Sequence, residues 1–194
     1  MRPNIHICKH PVLFHKISIL RSSATTHGKF RSVLREVTYH LGYEATANLK
    51  TREIPISVSI GKLKANEHTN CTGYKISDRV ALIPILRSGL EMTNSMLELL
   101  PKAAVHHIGM YHIPGSAPVQ YFNRLPRKCE SDVAFVVDPV IASAETILCV
   151  VAILKKVRSD DTEHEKKNAD CRKCVGRKLF HMIPLFFVCV FSTI

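Results

Sequence analysis

Tryptophan is absent from this 194-residue sequence, and no run of basic residues is interleaved with aromatics. That removes the stacking platform on which single-stranded nucleic acid is held, and nucleic acid is not an expected partner. The opening stretch, MRPNIHICKHPVLFHK, lacks the long apolar segment of a secretory leader. No second CxxC accompanies Cys171–Cys174, so spacing alone does not write a four-ligand zinc set there. An apolar run of the ~20 residues that cross a bilayer is also missing. The nearest approach, LFHMIPLFFVCVFSTI at 179–194, follows Arg172, Lys173, Arg177 and Lys178, and it is short and holds Pro184. A tail anchor and a buried strand both fit such a run; the expectation is a strand entering a parallel sheet. The seven cysteines, an odd set without regular spacing, are read as reduced thiols of a cytosolic protein.

What is present is ordinary globular material: 46% hydrophobic and 22% charged residues, enough for one α/β domain spanning 1–194. The formal net charge of +11 fits either phosphorylated ligands or a solvated cationic surface, and the second accounts for most of the 27 cations. The first third is helical by pattern. Leu13, Ile17 and Leu20 share one face, as do Phe30, Val33, Leu34, Val37 and Leu41 of a second helix capped by Thr25 or Thr26. At REIPISVSIGK the period becomes two, and Pro55 favours an edge strand.

From residue 79 the chain repeats a strand–helix–strand grammar: RVALIPIL, then SGLEMTNSMLELL with Met92 and Met96 inward, then AVHHIGMY. DVAFVVDP and the helix ASAETILCVVAILKKV follow, with Ile147, Val150, Val151, Leu154 and Val157 on one face. Alternation of this kind predicts a parallel sheet with right-handed crossovers, whose ligands collect beyond the carboxyl ends of the strands. Two places qualify, Leu86–Gly89 and Asp138–Thr146. Residues 158–178 are almost wholly polar and read as a flexible insertion. His106 and His107, predicted within a strand, would point to opposite faces and cannot share a metal.

At DPVIASAET a strand gives way to a helix, whose free N–H groups and dipole suit an anion, with Ser143 and Thr146 adding hydroxyls. A simple Ser143 cap with nothing bound is the competing reading. The fragments CKHPVLFHKISILR, LGYEATANLKT, IPILRSGLEM, LLPKAAVHHIGMYH, VQYF and VVDPVIASAETI resemble, in order and spacing, landmarks of bacterial-type uracil phosphoribosyltransferases across Cys8 to Val157. The resemblance implies a phosphoribosyltransferase type I sheet flanked by helices, and formation of UMP and diphosphate from uracil and phosphoribosyl diphosphate. It also implies magnesium, GTP as an activator of some members, and a homo-oligomer. The implied phosphoribosyl-diphosphate residues are Arg87, His112, Asp138, Pro139, Val140, Ile141, Ala142, Ser143, Ala144, Glu145 and Thr146, with Asp138 also in the catalytic role.

Three departures qualify that expectation. His112 stands where the family's GMYR motif has arginine, and a mostly neutral imidazole does not replace a permanent cation. Ala144 and Glu145 stand where the phosphate loop, roughly DPMLATGGS, has two glycines. The family's uracil-reading loop, resembling YIVPGLGDAGDR, has no counterpart, so the expectation is a shortened site with no residue assigned to uracil. Impaired catalysis, or a non-catalytic homologue that binds nucleotides or an intact family subunit, follows as the expected range.

Overall fold

The computed structural model describes residues 6–59, 68–113, 116–126, 130–159, 185–188 and 191–192. The polar stretch from 160 to 178, with Cys171 and Cys174, lies outside them.

Two helices begin the chain, α1 (Pro11–Arg21) and α2 (His27–Thr46). Pro11 opens α1, where its missing N–H costs nothing, and His10 Nδ1 accepts the Val12 N–H as a cap. Thr26 occupies the N-cap of α2 without a side-chain bond, while Thr25 donates its hydroxyl to the Ile19 carbonyl. Next come β1 (Thr51–Ser59) and β2 (His68–Ile76), an antiparallel ribbon registered from Thr51↔Ile76 to Ser59↔His68. Pro55 therefore sits on a strand with one neighbour, as a residue lacking an N–H requires.

The main sheet is built from β3 (Val80–Leu86), β4 (Ala104–Val105), β5 (Ile108–Tyr111), β6 (Val119–Asn123), β7 (Val133–Val137) and β9 (Leu185–Val188). Its order is β6-β5-β3-β7-β9, with β4 pairing the start of β3, and all pairings are parallel except β5–β6. The expected strand over 104–111 is broken: the His106 N–H turns to the Leu82 carbonyl, so His106 and His107 sit between β4 and β5. Burial, reinforced by the neighbouring His107, holds the His106 imidazole below its ordinary pKa. Leu185–Val188 of the apolar C-terminal run do enter the sheet, since β9 runs parallel to β7.

Alternation along the central strands assigns side chains to two cores. Val80 and Leu82 of β3, with Val133, Phe135 and Val137 of β7, meet Val33, Leu34 and Val37 of α2. They also meet Met92 and Met96 of α3 (Leu90–Leu99). Ala81, Ile83, Ile85, Ala134 and Val136 face the opposite way, against Ile147, Cys149 and Val150 of α4 (Glu145–Ser159). Helix α4 begins at Glu145 rather than Ala142 and continues through Ser159, two residues into the expected insertion. Residues between β7 and α4 instead form a loop in which β8 (Val140–Ile141) pairs with β10 (Phe191–Ser192).

Candidate functional site

Strands β5, β3 and β7 lie side by side and point the same way, so the residues following them share one edge of the sheet. His112 follows β5, Arg87 and Ser88 follow β3, and Asp138 follows β7. The sequence separates these groups by up to 51 positions; the crossovers collect them.

The turn after β3 lies tight against the end of β7. A Cβ on Gly89 would come within 2.3 Å of the Val137 carbonyl oxygen, so only glycine fits. Beside it, the Ser88 hydroxyl donates to Asp138 Oδ1 at 2.7 Å, joining the two strand ends. Asp138 is 9% exposed. Burial pushes its carboxyl above the ordinary carboxylate range, against the Ser88 hydroxyl and the Val140 N–H, which favour the ionised form. Arg87 is exposed beside this pair, and its carbonyl accepts from the Leu90 N–H at the start of α3.

Beyond Asp138 the loop alternates in character. Pro139 is buried and Val140 exposed, whereas Ile141 is half-buried against the α4-side core. Ala142 and Ser143 are exposed, Ala144 and Thr146 half-buried. Ala144 has φ of 63°, the left-handed region that a side chain resists and glycine accepts. Ala144, not Ser143, directly precedes α4, and its carbonyl accepts from the Leu148 N–H. Ala144 thus holds a backbone shape suited to glycine.

Glu145 opens α4, where the helix dipole favours a carboxylate. Its Oε2 lies 2.9 Å from His112 Nε2, both groups about half exposed. The contact spans the site from the end of β5 to the start of α4. Sequence reasoning named both residues as departures from a motif, but not their pairing; they are 33 positions apart, and no periodicity links them.

Among the described residues at this edge, Arg87 is an exposed cation, Asp138 a buried carboxyl, and Glu145 a carboxylate engaged by an imidazole. A carboxylate therefore already belongs to the first turn of α4, the place where a helix favours an anion.

Residues 7–163 match the family described as Uracil phosphoribosyltransferase. The uracil phosphoribosyltransferase of a Roseiflexus species is 37% identical over 153 residues, 78% of this chain and 70% of that protein. That of Thermosipho africanus is 37% identical over 166 residues, 84% and 73% of the two chains. That of Agathobacter rectalis is 39% identical over 151 residues, 77% and 69%. Among solved structures, the AQ2163 protein from Aquifex aeolicus superposes with a TM-score of 0.68 at 24% identity, covering 79% of this chain and 70% of that one, a likeness of fold. With a match of that extent and relatives above one-third identity, the chain belongs to the uracil phosphoribosyltransferase family.

Proposed function

We propose that the strand-end edge is a phosphoribosyl-diphosphate site of a pyrimidine-salvage transferase in which an internal carboxylate stands where the sugar's 5′-phosphate docks. The contact between His112 and Glu145 carries this reading. It joins the position that has lost the motif's arginine to a position that has lost a glycine, so the two changes act on one place. Arg87 contacts the diphosphate, since a guanidinium can hold two phosphate oxygens at once. Ser143, Thr146 and the amides opening α4 receive the 5′-phosphate. Pro139, Val140, Ile141 and Ala142 carry the loop between them, and Asp138 receives ribose hydroxyls or metal-bound water.

Catalysis in such a site is chiefly positioning plus stabilisation of the leaving diphosphate, as a pyrimidine nitrogen displaces it from the anomeric carbon. Magnesium fits the donor set: one carboxylate, Asp138, is enough when phosphate oxygens and water complete the shell. Bound there, it would neutralise charge on the diphosphate. GTP activation and a cytoplasmic setting belong to the same proposal. So does a homo-oligomer, which the ribbon of β1 and β2 favours by exposing Ile56, Val58, Tyr74 and Ile76.

Radiolabelled uracil with phosphoribosyl diphosphate and magnesium tests the reaction, and slow UMP formation above a blank is expected. No UMP, with phosphoribosyl diphosphate still bound, leaves the non-catalytic homologue. An A144G/E145G variant removes a like charge worth roughly 1–4 kcal/mol at ~4 Å, so its affinity for phosphoribosyl diphosphate rises about fivefold or more. Unchanged affinity in that variant rejects the placement of the phosphate.

A further inference from the structure

A second cluster of reactive side chains lies on α2, where it meets the segment leading into α1. Cys8 Sγ is 2.7 Å from His40 Nε2, and His6 Nε2 is 3.1 Å from Glu44 Oε2. One ligand atom each from Cys8, His40 and Glu44 lies within 4.8 Å of the others. The pattern that produces this is simple. His40 and Glu44 are four apart on a helix, hence on one face, and His6 and Cys8 are two apart in the segment that crosses it. Cys8 and His40 are half-buried, with Cys8 packed against the helical core, whereas His6 and Glu44 open to solvent. His10 is committed elsewhere: its Nδ1 caps α1, and its ring lies tilted against His40 with centroids 5.2 Å apart.

We propose that His6, Cys8, His40 and Glu44 form a zinc site that fastens the N-terminal segment to α2. The donor set is one thiolate, two imidazoles and one carboxylate, which suits zinc in a closed, structural geometry. Tetrahedral zinc sets sulfur and nitrogen ligands about 3.6 Å apart, so Cys8 and His40 part by roughly 1 Å as the metal enters. The Cys8 thiol releases its proton to solvent on binding. His40 and Glu44 are already held by α2, and the N-terminal segment brings His6 and Cys8 to them.

Cobalt(II) reports on such a site without reference to activity. The 194-residue chain, stripped with chelator and kept reduced, is titrated with cobalt and then zinc. A thiolate-to-cobalt charge-transfer band saturating at one equivalent is expected, with displacement by zinc and a rise in Tm. The band should persist in a C171S/C174S background and vanish in Cys8→Ser. Glu44→Gln, on the exposed side, should weaken zinc at least about tenfold. No band, or one lost with Cys171 and Cys174 but kept in Cys8→Ser, overturns the site. If circular dichroism shows Cys8→Ser unfolded, unchanged zinc affinity in both Glu44→Gln and His6→Ala overturns it instead.

Discussion

Ala144 holds a backbone angle that costs an L-residue about 1–2 kcal/mol, at the one described non-glycine position with positive φ. Ala144→Gly relieves that cost and gives back about 0.5–1 kcal/mol through the freer unfolded chain. Urea denaturation of the single variant should therefore show a gain near 0.5–1 kcal/mol; a loss would mean the loop relaxes in solution to an ordinary angle. Glu145 poses a different problem, because its carboxylate sits half-exposed at the helix start beside His112, where an ion pair is worth little. Removing it should cost little stability and change ligand affinity instead. Strain and charge at adjacent residues can thus be measured separately.

Among the elements, the turn after β3 is the most constrained. Gly89 faces the Val137 carbonyl and the Ile85 backbone, neither of which can swing aside as a side chain can. Gly89→Ala should cost about 2–3 kcal/mol, read as a lower urea midpoint, and should also disturb the Ser88–Asp138 bond. Elements whose burial is complete were legible in the sequence. Strands β3 and β7 are buried through nearly their whole length and read as unbroken apolar runs. Strands β2 and β6 were not legible, because HTNCTGYKI and VQYFN expose most residues on both faces and leave no period-two signal. The break at His106 depends on a carbonyl of β3, which lies 24 positions away and leaves no local trace. At the candidate site, the strand ends and the residues His112, Ala144 and Glu145 could be read from sequence. The His112–Glu145 contact could not, since it exists only once β5 and α4 stand at the same edge.

For the whole molecule, the edge opposite the site is closed by charge. Arg79, just before β3, donates through Nη2 to Asp132 Oδ1 at 3.0 Å and through its backbone N–H to Oδ2 at 2.9 Å. The Asp132 N–H returns a bond to the Arg79 carbonyl at 2.8 Å, setting the register in which β3 and β7 begin. The Arg79 guanidinium holds the Asp132 carboxyl at about 2, below its ordinary 3.8. Because the folded value is the lower, this pair stabilises the fold fully above 3.8, and the contribution is lost as pH falls toward about 2. Asp132→Asn should flatten the fall in urea midpoint over that interval and leave the slope unchanged above it. An identical acid profile in the two proteins would show the pair to be without effect in solution.

Two oily compartments share the same pair of central strands, each fed by alternate positions: 80 and 82 with 133, 135 and 137 on one side, 81, 83 and 85 with 134 and 136 on the other. A lone codon gained or lost within 80–86 or 133–137 would exchange the tenants of both rooms at once, sending Phe135 toward the space that Ala134 now fills. Length variation among descendants of this gene should accordingly gather in the connections and spare those twelve positions.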